Sequence, residues 1–417
     1  MLIPKRSGHL RAAFRRPVAG QRNLPRLCEV PCLPDLEYPM RLPLSRGPIT
    51  SYLFERLIRP AHEIDPLPVS PVDAPLHDDD LQLALFVCYE LHYQGIDGVD
   101  ESWEWNPSLL AARAKLERCF EEGLARAVPR PPAVPATSLR RALIELVTAA
   151  DDGPSLSSFI QREADLGQFR EFVTHRSIYH LKEADPHTWA IPRLRGGPKA
   201  ALVEIQADEY GGGRAERMHS ELFRATMRGL ELDDSYGAHL DRVPAITLAV
   251  SNVMSLFGLH RRWRGALLGH LAALEMTSSL PNMKYGRGLR RLGGDAAATR
   301  FYDEHVQADA AHEQIAVHDM CGGFAIANPS LTGDILYGAA CATTVERLFA
   351  EHVISRWRGG ASSLVRGGRP GHAGASGSLG ALKPVTLCEP SQKGLVDDRP
   401  QRHSATVALP GSMGRPS

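Results

Sequence analysis

From Leu81 to Trp357 apolar residues recur at three- and four-residue intervals with few interruptions, a spacing that commits this stretch to helices packed through one stripe each. The pattern predicts helices over Leu81 to Tyr93, Pro107 to Ala127 and Ser138 to Ala150. A long one follows from Ser155, read as an N-cap, to Glu183, stopping before Asp185-Pro186 because the residue before proline is driven out of helical geometry. Further helices are expected over Lys199 to Glu209, Arg214 to Leu230, Val243 to Phe257, Arg261 to Leu280 (ended by Pro281), Ala296 to His318 and Leu331 to Trp357. Gly211-Gly212-Gly213 separates two of them and frees the backbone between. An aromatic content of 6% and scattered β-branched residues leave few strand signals, so the class is all-α.

The two ends read differently. Residues 1–50 are rich in Pro and Arg without periodicity and are expected to form a disordered basic arm, with synthesis naturally beginning at Met40. Beyond 357 the chain is dominated by Gly, Ser, Pro and Arg, so residues 358–417 are expected to be a disordered tail. Between them, 51–137 is read as a helical extension and 138–357 as the main domain.

Lys plus Arg and Asp plus Glu both number 48, so no net field recruits nucleic acid or a membrane surface. The most apolar run, Val243 to Leu259, is interrupted by Ser251 and Asn252 and reads as a buried helix. Seven scattered cysteines, Cys28, Cys32, Cys88, Cys119, Cys321, Cys341 and Cys388, show neither zinc-site spacing nor a disulfide framework, which fits a reducing cytoplasm.

Within the helix expected over Ala296 to His318, His305, Asp309 and His312 stand at positions i, i+4 and i+7. A helix turns about 100° per residue, so two imidazoles and a carboxylate lie on one stripe. Nitrogen and oxygen donors together suit iron, manganese or zinc better than magnesium or calcium. The competing reading is a solvated face that carries two histidines.

Four further residues weigh against that reading: Glu183, Glu209, His219 in the helix expected from Arg214, and Glu275 on a stripe with Leu268 and Leu271. Singly, Glu183 and Glu209 are ordinary helix-end charges and His219 a core histidine, but Glu275 is hard to bury without a partner. Together the seven residues are three histidines, three glutamates and one aspartate, a set that fits two iron ions bridged by carboxylates. His175, His180 and His187 flank Glu183 and are given surface or supporting roles, and Glu216, one turn before His219, is a candidate to orient that imidazole. Glu90, His92 and Asp97 read as a solvated polar face, and Trp103 and Trp105 as packing between extension and main domain.

A ferritin-like bundle needs Glu-x-x-His on each of two helices, and here only Glu216-Arg-Met-His219 has that form. In order and spacing, Glu183, His219, Glu275 and the closing His305, Asp309 and His312 resemble the heme-oxygenase-like diiron oxidases and oxygenases, often described as iron-containing redox enzymes. The resemblance runs over roughly Ser138 to Trp357, and Glu209 matches an additional carboxylate of the N-oxygenating members. It implies a seven-helix bundle holding two Fe ions, O2 as co-substrate, and an external reductant. It also implies oxidation of an amine nitrogen, or oxidative cleavage of a small amino-acid-like or fatty-acid-like substrate. The expected partners are therefore a small-molecule substrate and an external electron donor, without nucleic acid or membrane, and with room for a homodimer. Two other functions stay open at this point: heme binding and degradation on the same fold, and a non-catalytic helical metal-binding protein.

Overall fold

The computed structural model describes residues 40–67, 72–149 and 155–365, the side chains of 308–310 excepted. The basic arm before residue 40, the tail beyond 365 and the side chain of Asp309 lie outside the described residues. The chain starts with a two-residue strand, β1 (Met40–Arg41), paired in parallel with β2 (Ile96–Asp97). The helices are α1 (Pro48–Leu57), α2 (Asp79–Glu90), α3 (Pro107–Ala127), α4 (Leu139–Ala149), α5 (Leu156–Arg162), α6 (Leu166–His180), α7 (Asp185–Thr188) and α8 (Gly196–Glu209). They continue with α9 (His219–Gly229), α10 (Ala245–Leu259), α11 (Arg264–Thr277), α12 (Ser279–Arg291), α13 (Ala296–Gln314), α14 (Gly323–Ala327) and α15 (Thr332–Arg358). The fold is all-α, as the periodicity requires.

Several boundaries depart from the sequence reading, each for a local reason. The helix expected over Ser155 to Glu183 is two helices, because Asp165 caps α6 reciprocally with Gln168 and so ends the preceding turn. Pro281 does not end a helix. It lies in the first turn of α12, where its missing N–H costs nothing, so a whole helix stands where the spacing suggests a stop. The helix from Ala296 outlasts His318: after Gln314 it widens into a π-helical segment, Ile315–Gly322, and runs on as α14 until Asn328-Pro329 stops it.

Parts of both expected terminal segments, residues 40–50 and 359–365, have a described structure. Residues 40–50 are placed, with Met40 buried and the first turn of α1 capped by Asp80, which accepts from Ile49 N (2.7 Å) and Thr50 N (2.8 Å). Residues 359–365 fold back after α15, where Ser363 donates to Glu171 through both its backbone N (2.8 Å) and its hydroxyl (2.6 Å).

The core is organised around α10 and the α11–α15 pair. α10 is buried on nearly every side, and among the described residues no helix is long and apolar enough to cross a membrane. α11 and α15 touch backbone to backbone: a Cβ on Gly269 would stand 1.8 Å from Ile335 O, and one on Gly338 the same distance from Ala266 O. Only hydrogen at these two positions allows that approach.

The extension is continuous with this core. Leu81 through Tyr89 on α2 are buried, and Asn252 of α10 donates to both the backbone and side-chain oxygens of Gln82 (2.8 Å each). Glu90, read from sequence as solvated, is fully buried at the end of α2. Trp103 is buried as packing requires, whereas Trp105 is exposed.

Candidate metal centre

Five separate pieces of chain, the link after α6, the end of α8, the start of α9, α11 and α13, deliver carboxylates and imidazoles to one place. Glu183 is in the short non-helical link between α6 and α7, and not on a helix end. Gln206 secures that link by donating Nε2 to Ala184 O (2.8 Å). Glu209 is the last residue of α8. The three glycines after it all take positive φ, and a Cβ on Gly211 would lie 2.6 Å from the backbone of Arg217 and Met218. This tight reversal, open only to glycine, returns the chain so that His219 is the first residue of α9, not one and a half turns inside it. His219 Nδ1 ends 2.8 Å from Glu209 Oε2 and 3.4 Å from Glu183 Oε1.

α13 contributes His305 and His312 from one face, seven residues apart as the stripe requires. His305 donates Nδ1–H to Phe301 O (2.9 Å), which leaves Nε2 facing Glu183 Oε1 at 3.3 Å. His312 donates Nε2–H to Asp208 (3.0 Å), leaving Nδ1 facing Glu275 at 3.4 Å and Glu209 at 3.9 Å. In both cases a hydrogen bond on the outer nitrogen selects which inner nitrogen can bind a metal.

The donors fall into two groups, each with ligand atoms within 4.8 Å of one another: Glu183, Glu209, His219 and His305 in one, and Glu209, Glu275 and His312 in the other. Glu209 belongs to both. Six of the seven sequence candidates are thus brought together.

A cation suits this arrangement better than internal hydrogen bonding does. Glu183 Oε1, His219 Nδ1 and His312 Nδ1 are buried and make no hydrogen bond, although an oppositely polar atom stands within 3.4 Å of each. These buried polar atoms face one another without good hydrogen-bond geometry, and leaving such groups unanswered is costly. Electrostatics agree. Burial pulls an imidazole's pKa down, but carboxylates outweigh it here: Glu209 and Glu183 hold His219 well above its ordinary value, Glu183 raises His305, and Glu275 with Asp208 and Glu209 lifts His312 to about 9. Glu183 is held well below the carboxylate range, burial being outweighed by His180, His219 and His305. The pocket therefore favours positive charge at the points its donors face.

The surroundings correct several sequence assignments. Glu216 is exposed on the turn before α9 and does not orient His219; the carboxylates of Glu209 and Glu183 do. His175 and His187 are buried, not on the surface: His175 bonds to Thr247 (2.8 Å) and Ser363 (3.1 Å), and His187 to Glu183 O (3.3 Å). His180 contacts the second oxygen of Glu183, the supporting role expected of it. Asp208, the outer partner of His312, carries no sequence signal that sets it apart from other helix-end carboxylates. A cavity of about 40 Å³ adjoins the cluster, lined by Glu183, Glu209, Glu275 and His305 together with Tyr179, Leu271 and others.

Comparison with known proteins agrees with this chemistry. Residues 170–347 match the model of a family described as iron-containing redox enzymes, and every donor of the cluster lies within that span. A nitrosourea synthase from Streptomyces achromogenes subsp. streptozoticus is 25% identical over 138 residues, a stretch covering 33% of this chain and 29% of that relative's length. Over residues 170–347 the chain is therefore similar to the iron-containing redox enzymes.

Proposed function

We propose that this protein is an oxidoreductase that holds two iron ions side by side and uses them with O2 and an external electron donor to oxidise a small molecule. The single observation that carries the reading is the membership of Glu209 in both donor groups. One carboxylate placed between two sets of ligands is the arrangement a pair of metal ions needs, since each oxygen can serve one ion. Glu183, His219 and His305 complete one set, and Glu275 and His312 the other; Asp309, four residues after His305 in the sequence, is proposed as a further ligand. Two ferrous ions so held would supply electrons jointly to dioxygen. The adjoining cavity of about 40 Å³ has room for a diatomic molecule or a single water.

The chain's own groups set the conditions for that chemistry. Three carboxylates and three imidazoles leave the site near neutrality when two divalent cations replace the imidazole protons. The hydrogen bonds from His305 to Phe301 and from His312 to Asp208 hold both rings against rotation. Burial excludes competing water.

Oxidation at nitrogen is the favoured outcome, supported by the additional carboxylate Glu209 and by a relative named for making a nitrosourea. Heme degradation is disfavoured, because donor atoms gathered within 4.8 Å leave no gap for a porphyrin.

Anaerobic titration with ferrous iron followed by exposure to air tests the proposal. The wild-type chain should take up two equivalents and consume O2, and Glu209→Ala should lose at least one equivalent. Uptake of a single ion, unchanged uptake by Glu209→Ala, or a ferrous protein inert to O2 would overturn it. A Soret band on heme addition, displacing iron, would favour the heme reading.

A further inference from the structure

We propose that α2, outside the span matched by the family, is a working part of the metal centre: Glu90 positions Glu183 through Lys182. The inference rests on the metal-binding reading of Glu183.

Glu183 occupies a link with no helical hydrogen-bond ladder of its own, so side chains must place it. From one side α8 and the residue that follows it do this, through Gln206 on Ala184 O and through Tyr210, whose hydroxyl donates to Asp185 Oδ1 at 2.7 Å. From the other side the anchor is Lys182, the residue next to Glu183. Its side chain is 1% exposed, and Nζ donates to Glu90 Oε2 at 2.5 Å. Nζ also stands 4.4 Å from the ring centre of Phe86 and 4.7 Å from that of Tyr93. All three contacts come from α2 or the residues just after it. Glu90 is itself fully buried, and its other oxygen accepts from Tyr236 OH at 2.7 Å.

A buried ion pair is a poor device for stability alone, because desolvating both charges offsets their attraction, and apolar residues of similar volume commonly do as well. What it supplies is direction. Lys182 can satisfy its charge only by pointing at Glu90, and this orients the link so that the following side chain, Glu183, points away toward His219 and His305. A merely structural pair would, on removal, alter melting without singling out one metal.

Two variants separate these roles: E90L/K182M, which replaces the pair by apolar groups, and the nearly isosteric Y236F, which removes one hydrogen bond from Glu90. Each is titrated anaerobically with cobalt(II), whose visible bands report coordination, with His305→Ala and His312→Ala assigning the two ions. E90L/K182M should melt at or near the wild-type temperature and bind the ion at His312 and Glu275 normally. It should bind the ion at Glu183 at least tenfold more weakly, with altered bands, the size of effect known for outer partners of metal ligands. Y236F should shift the same site by a few fold. Wild-type affinity and bands at both sites in whichever variant folds, or equal weakening of both, would overturn this inference alone. A wild-type chain that takes up no cobalt would overturn the metal reading and this inference with it.

Discussion

The chemistry of single residues here is decided by what stands on their far side. His312 is set by Asp208, which lies 104 positions away in the chain and holds Nε2–H at 3.0 Å. Removing that partner frees the ring to turn, so Asp208→Ala should weaken iron binding by about 10- to 100-fold while leaving the fold intact. Equilibrium dialysis would check it, and unchanged affinity would show that His312 needs no outer support.

The same residue carries a pH dependence. Its pKa is raised to about 9 against about 6.5 in an unfolded chain, so the protonated, paired form stabilises the fold fully below about 6.5 and loses that contribution as pH rises through 9. His219 and His305 shift in the same direction. With chelator present, the melting temperature should therefore fall between pH 6.5 and 9. Bound metal replaces those protons, so iron affinity should rise over the same window, with measurable proton release on loading. A chelated protein whose melting temperature is flat across that range would contradict the assignment.

Among whole elements, the position of α11 decides where Glu275 points, and that position depends on two glycines. Gly269 and Gly338 allow α11 and α15 to cross with backbone carbonyls where side chains would normally stand. Gly338→Ala places a methyl 1.8 Å from Ala266 O, which the helices can relieve only by separating. The expected cost is about 3 kcal/mol, read as a lower denaturation midpoint, with weakened binding at the Glu275 side of the centre. Wild-type stability in this variant would mean the crossing is looser than described. Such a crossing is not legible from periodicity, because a glycine in a helix reads as a weakness until the partner helix is seen. The capping of α6 by Asp165 and the start of α12 around Pro281 are hidden for a related reason. A cap and a first-turn proline give the same sequence signal as a stop, and only the path of the chain afterwards tells them apart.

At the scale of the molecule, the helices before residue 138 do not behave as an appendage. Leu81 through Tyr89 are buried, Asn252 of α10 donates to two oxygens of Gln82 on α2, and Glu90 and Lys182 neutralise each other out of reach of water. Taking α2 away would bare the apolar face of α10 and leave the Lys182 ammonium buried without a counter-charge, each a heavy penalty. A chain starting at residue 138 should accordingly fail to give a stable, helical, monodisperse protein by circular dichroism and gel filtration. A folded 138–417 fragment with full metal uptake would show that the family span suffices by itself.

The sequence alone determined the all-α class and most helices, because apolar spacing is a local property that any window of the chain displays. It also determined which donors could meet, since His305 and His312 share a helix face by geometry and Glu275, on an apolar stripe, is a charge that burial obliges to find a partner. Tertiary structure decided the rest. It showed Glu209 shared between two donor groups, the glycine reversal that brings His219 back to it, Asp208 behind His312, and Glu90 buried against Lys182 where the sequence suggested a solvated face. These are contacts between residues far apart in the chain, and whether a charge is buried depends on what folds over it, which no local pattern records.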